Sequence, residues 1–179
     1  LRAGHVGFIL APRLNAAGRI GDAKDGLRLL LTEDAREAAA LARELETLNA
    51  RRQALDQKIL DEAIELADRT IREDDRALVL AADDWHPGVI GIVASRLVER
   101  YGRPTFLIAW EGGGDVGRGS GRSIAGFDLH AALHRVAPHL EKYGGHAMAA
   151  GLTIRRERYE EFRVAFLGVA GQLLGPDDL

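Results

Sequence analysis

Between Glu33 and Asp75 the chain runs for 43 residues without a glycine or a proline. Nothing else in the sequence limits the fold so strongly, because such a run has no residue that breaks a helix. Leu41, Leu45, Leu48, Leu55, Ile59, Ala63 and Leu66 recur within it at spacings of three, four and seven. That pattern draws one apolar stripe along a helix. Thr32 is the expected N-cap, with Glu33 and Asp34 in the first turn, where the helix dipole favours acids. A continuous helix of this length would reach roughly 65 Å, more than a compact domain needs. It fits either a hairpin or coiled-coil arm, broken near Asn49 to Gln53, or a connector between two lobes. The connector is preferred.

On either side the texture changes. Residues 1–32 are expected to close a preceding or interdomain segment, residues 33–75 to form the connector, and residues 76–170 to form an α/β domain. In that last segment "RALVLAAD" (76–83) and "RPTFLIAWE" (103–111) are apolar runs of strand length, "GRGSGRSI" (117–124) is a glycine-broken strand, and "AGLTI" (150–154) is a further strand. Helices are expected over 88–102, closed by Gly102, over 128–137, stopped by Pro138, and over 156–167. Alternating strands and helices argue for an α/β fold with a mixed or parallel sheet flanked by helices. Residues 171–179 are expected to be a loose tail.

The 179 residues suffice for one good core or two small lobes, with an ordinary globular composition of 46% hydrophobic and 28% charged residues. The chain has no cysteine, which excludes disulfides, thiolate zinc sites and a cysteine nucleophile. A reducing, cytoplasmic setting fits, and no apolar run approaches the length of a membrane span. The start, without Met and inside a glycine-rich stretch, has no signal-peptide pattern and reads as that of an excised piece. Lys and Arg number five against two acids over 1–32, seven against thirteen over 33–75, and twelve against twelve over 76–179. The acidic excess is thus confined to the helical run, and an anionic partner for the rest stays open.

Four short stretches carry the candidate chemistry. In "APRLNAAGRIGDA", Arg13, Asn15 and Arg19 stand among small residues; anion contacts and a plain helix start with solvated arginines both fit. "WHPGVIGIVASR" puts Trp85 and His86 between a strand and a helix expected to start near Gly88, an edge where α/β sheets bind ligands and helix N-termini attract anions. A core tryptophan beside a loop histidine fits equally well. In "GRGSGRS", Arg118, Ser120 and Arg122 point one way on a strand, with Ser123 following, and Gly117, Gly119 and Gly121 line the other face. Two guanidiniums and a hydroxyl in a row suit phosphate. In "YGGHAMAAG", Gly144 and Gly145 precede His146, and on these residues alone a glycine helix cap with an incidental histidine explains them better than a site does. No Walker loop, HExxH pattern, nucleophile elbow or acidic metal cluster occurs. Anion-binding groups are plentiful, and catalytic acids and metal ligands are scarce.

"APRLNAAGR", "WHPGVIGIVASRL", "GRGSGRSIAGFDL" and "GGHAMAAGLTI", in this order, resemble the carboxy-terminal half of the RecJ family of single-stranded-DNA-specific exonucleases. The last three correspond to the DHHA1 domain of the DHH phosphoesterase superfamily. One departure is Pro87, where the family pattern has an acidic residue after the histidine. The resemblance implies that a DHH domain holding Mn²⁺ or Mg²⁺ faces the DHHA1 domain across a cleft, joined to it by a long helix. No metal ligand is then expected in this chain, which is expected to be inactive alone. It also implies single-stranded DNA and the DHH domain as partners, with phosphates held by Arg13, Asn15, Arg19, His86, Arg118, Ser120, Arg122, Ser123, Gly144, Gly145 and His146. On this reading Gly144 and Gly145 let backbone N–H groups approach a phosphate, His146 opens a short helix whose dipole favours the anion, and Trp85 is placed to stack on a base. An uncovered apolar face of the connector is expected to favour self-association. The alternative is a metal-free module from an oligoribonuclease-type or tRNA-editing DHHA1 protein.

Overall fold

The computed structural model describes residues 2–175 and 178. They form two compact units, which divide between Gln57 and Lys58. In the first unit a single turn α1 (Ala3–His5) and a wide π-type turn (Val6–Leu10) lead into α2 (Ala11–Ile20) and α3 (Ala23–Leu31). Pro12 lies near the start of α2 directly after the π-type turn, and it has no N–H to donate to the helical turn before it. Asp22 caps α3 by accepting from the Lys24 N–H at 2.9 Å.

The glycine-free run forms α4 (Ala35–Thr70), 36 residues with no break near Asn49 to Gln53, so the hairpin does not form. Its cap is Asp34, whose carboxylate accepts from the Arg36 N–H at 2.8 Å. Thr32, the expected cap, instead ends α3 and donates its hydroxyl to Glu37 at 2.6 Å. Leu41, Leu45, Ile59 and Ala63 of the apolar stripe are buried. The uncovered apolar side chains expected on this helix lie elsewhere: Phe8, 86% exposed, with Leu27, Leu30 and Leu31 of α3. No helix among the described residues is long and apolar enough to cross a membrane.

The second unit is built on a five-stranded mixed sheet. Its strands are β1 (Leu78–Ala82), β2 (Thr105–Trp110), β3 (Val116–Arg122), β4 (Lys142–His146) and β5 (Ala149–Arg155), in the order β1-β2-β3-β5-β4. Only β1 and β2 run parallel, joined through α5 (Ile90–Tyr101), and the other pairs are antiparallel. Gly102, with φ +64°, closes α5 in the left-handed conformation that glycine adopts without strain. One face of the sheet presents Phe106, Ile108, Trp110, Leu152 and Ile154 to α6 (Leu129–Arg135) and α7 (Tyr159–Leu173), which contribute Leu129, Leu133, Phe162 and Phe166. Phe106 meets Phe162 and Phe166 edge to face, with ring centroids 6.1 and 5.2 Å apart. The other face receives α5 against β2 and β3.

Two expectations change here. Lys142–His146, unassigned in the sequence, is an edge strand rather than the approach to a helix, because it finds a partner in β5. Residues 171–173 complete α7, and Leu174 is buried, so the expected loose tail begins later. Residues 176, 177 and 179 of that tail lie outside the described residues.

Candidate nucleic-acid interface

The side chains of β3 alternate, and each face has a separate physical task. Gly117, Gly119 and Gly121 are buried on the helix-packed face. A Cβ at Gly117 would stand 2.5 Å from Trp110 Cζ3, at Gly119 2.7 Å from Leu152, and at Gly121 2.5 Å from Phe106 Cζ. The glycines therefore admit large core side chains close to the β3 backbone, and the face expected to be bare is filled by Trp110, Leu152 and Phe106. Arg118, Ser120 and Arg122 share the opposite face, as their spacing requires. Arg122 Nη1 donates to Ser120 Oγ at 3.2 Å and to the Gly121 carbonyl at 2.8 Å. The first turn of α5 presses onto this pair, since a Cβ at Gly91 would lie 2.8 Å from Ser120 Oγ and 2.9 Å from Arg122 Nη2.

The register then extends the row across the sheet. Arg122 pairs with Ala149, which pairs with His146; Ser120 pairs with Gly151, which pairs with Gly144; Arg118 pairs with Thr153, which pairs with Lys142. Residues level with one another on neighbouring strands share a face, with strands about 4.8 Å apart. One face thus has a floor of exposed Gly144 and Gly151 beside Ser120. Arg122 and His146 stand at one end of the floor, and Arg118, Lys142 and Arg155 toward the other. No atom lies within 4 Å of a Cβ built at Gly144, so the floor is open above it. Glu141 pairs with Arg155 at 3.5 Å. The result is a predominantly cationic platform three strands wide, across β3, β5 and β4, with donors for anionic oxygens at both ends. Lys142, Thr153 and Arg155 escaped the sequence reading. The alternation of 142, 144 and 146 would have marked them, but two adjacent glycines hide a strand.

Several expected site residues are positioned differently. Gly145 points to the other face with φ +140°, where a Cβ would come within 2.5 Å of Ala150 Cα; what approaches its backbone is the chain's own neighbouring strand. His146 ends β4 and opens no helix, so no helix dipole acts there; its Nδ1 accepts from the Met148 N–H across the β4–β5 turn at 3.3 Å. Ser123 is 5% exposed and donates to the Phe127 carbonyl at 2.7 Å, which assigns it to the core. Trp85 is 4% exposed, and its indole N–H donates to Glu62 at 3.0 Å, which removes it from base stacking. His86 organises the turn before α5: its Nδ1 accepts from the Gly88 N–H at 3.0 Å and its carbonyl from Val89 at 2.9 Å. That turn thereby engages its own donors. Arg13, Asn15 and Arg19 belong to α2 in the first unit. Arg13 is paired with Glu46 and donates to the Ile9 carbonyl at 2.6 Å, whereas Asn15 and Arg19 are exposed. Among the described residues no group of three or more His, Asp or Glu could hold a metal ion.

This mixed sheet, with its polar platform and glycine-spaced core strand, belongs to a known class. Residues 74–171 match the DHHA1 domain family, and the chain belongs to it. The chain is 43% identical over 173 residues to the single-stranded-DNA-specific exonuclease RecJ of Bacillus subtilis, a match covering 97% of this chain and 22% of that protein. It is also 43% identical to RecJ of Dickeya dadantii, over 100% of this chain and 32% of that protein. The crystal structure of Thermus thermophilus RecJ in complex with Mn²⁺ superposes with a TM-score of 0.88 at 41% identity, covering 98% of this chain and 26% of that one. The chain is therefore homologous to a part of RecJ, and it spans less than a third of the length of these curated relatives.

Proposed function

We propose that this chain is the DHHA1 part of a RecJ-like 5′-to-3′ single-stranded DNA exonuclease of the cytoplasm, and that its sheet platform grips the phosphates of the strand. The observation that carries this reading is the alignment of Arg122 with His146 and of Arg118 with Lys142 across the open glycine floor. Arginine offers planar paired donors to phosphate oxygens, Ser120 adds a neutral one, and His146 donates most strongly as the imidazolium. A floor without side chains lets a sugar-phosphate backbone come close to the sheet. Chemistry at the bound phosphate belongs to Mn²⁺ or Mg²⁺ held in a DHH domain outside these 179 residues. Arg19 and Asn15 of α2 offer further phosphate contacts, and α4 serves as the connector between domains. The exposed Phe8, Leu27, Leu30 and Leu31 support self-association of the isolated chain, for which light scattering at rising concentration is the measurement.

The test is fluorescence anisotropy of a short single-stranded oligonucleotide across salt concentrations. Each phosphate contact on a single strand contributes about 0.7 to the log–log salt slope, so three or four contacts give roughly −2 to −3. Arg122→Ala should weaken binding to all sequences alike and flatten the slope by about 0.7. An Arg122→Ala protein with wild-type affinity and slope would refute the phosphate grip.

A further inference from the structure

On the side of β4 away from the platform, Tyr143 meets two histidines of α6. His130 and His134 are exposed and stand four residues apart on one side of the helix, a spacing that sets Cβ atoms about 5–6 Å apart. Leu129, Ala132 and Leu133 fix the opposite side of α6 in the core, and Asp128 caps its start by accepting from the Ala131 N–H at 2.9 Å. The Tyr143 ring lies 5.9 Å from the His130 ring and 6.4 Å from the His134 ring. Its hydroxyl oxygen is 2.8 Å from His134 Nδ1. With the proton on Nδ1 donated to that oxygen, His134 keeps the lone pair on Nε2. Metal-binding imidazoles are held in this way, their second nitrogen donating to an oxygen that fixes tautomer and ring orientation. The same i, i+4 histidine spacing chelates zinc on helices of metalloproteases.

We propose that His130 and His134 form a binding site for a late first-row divalent cation, Zn²⁺, Ni²⁺ or Cu²⁺, with one imidazole nitrogen from each and Tyr143 positioning His134. Water completes the coordination, since only two protein ligands converge. Imidazole selects these ions over Mg²⁺ and Mn²⁺, which prefer carboxylate and carbonyl oxygens. The site is separate from the platform because Tyr143 and its neighbours Lys142 and Gly144 point to opposite faces of β4. It therefore does not depend on the phosphate reading.

The experiment is calorimetric titration of the 179-residue chain with zinc chloride, with the histidine imidazole resonances followed by NMR. One saturable Zn²⁺ per chain is expected, with shifts at His130 and His134 and none at His5, His86, His139 or His146. Replacing an outer partner of a ligating histidine typically weakens binding about 10–100-fold, so Tyr143→Phe should fall in that range. His130→Ala and His134→Ala should each weaken it further; both side chains are exposed, so the fold tolerates their removal. Absence of saturable Zn²⁺ binding, wild-type affinity in His134→Ala, or shifts confined to other histidines would overturn the site. Wild-type affinity in Tyr143→Phe would overturn the positioning role.

Discussion

Adding one methyl group at Gly121 or at Gly144 separates the two tasks assigned to glycine in this sheet. At Gly121 the new Cβ would sit 2.5 Å from Phe106 Cζ and 2.7 Å from Cδ1, inside van der Waals contact. Phe106 is fully buried and held edge-on by Phe162 and Phe166, so the ring has no free end to swing away. Overpacking of a well-filled core costs about 1–3 kcal/mol. Disturbing the aromatic pairs adds up to about 0.5–1.5 kcal/mol each. Removing glycine's freedom in the unfolded chain returns about 0.4–1 kcal/mol. At mid-range values of these three effects the net loss is about 2–3 kcal/mol. At roughly 2–4 °C per kcal/mol for a chain of this size, Gly121→Ala should melt roughly 4–12 °C below wild type. Gly144→Ala meets no atom within 4 Å, so its stability should stay within about 0.5 kcal/mol of wild type. Its methyl stands on the platform floor, however, and should weaken oligonucleotide binding. Thermal denaturation followed by circular dichroism, with anisotropy on the same samples, reads both effects. A wild-type melting temperature for Gly121→Ala would refute the packing argument, and undiminished DNA binding by Gly144→Ala would refute the open floor.

Other expectations follow from single contacts. Glu62→Ala strands the buried Trp85 indole N–H, now bonded at 3.0 Å, and should cost about 1–3 kcal/mol together with a shift in tryptophan emission. Burial pushes the Tyr159 phenol up to about 12, outweighing the opposing pull of Arg163. The fold thus favours the neutral phenol: its contribution to stability is full below about pH 10, the unfolded phenol range, and is lost as pH rises toward about 12. Denaturant melts from about pH 9 to about pH 12 should decline less steeply in Tyr159→Phe. On the proposed function the purified chain with Mn²⁺ and single-stranded DNA should release no nucleotides, and metal-dependent release would refute the assignment of the metal chemistry to a separate DHH domain.

Much of this was legible because it is local. Freedom from glycine and proline, with apolar residues recurring at helical spacing, sufficed to predict a long helix over residues 33–75; it forms over Ala35–Thr70, capped at Asp34 instead of Thr32. The alternation along "GRGSGRS" likewise assigned Arg118, Ser120 and Arg122 to one face, since side-chain direction is a property of the strand itself. The remainder depended on what each segment packs against. Lys142–His146 becomes a strand because β5 supplies its backbone partner, and that pairing aligns His146 with Arg122 and recruits Lys142. Trp85 and Ser123 have types and positions suited to a site, yet Glu62 and the Phe127 carbonyl take their donors in the interior. Gly145 is glycine because Ala150 crowds it, a contact made only when the β4–β5 hairpin closes. The sequence by itself determined which way each side chain points along its own element. Pairing between elements decided which of those faces meet, which are buried and which stay open to a ligand, because contacts between elements leave no periodic trace in the chain.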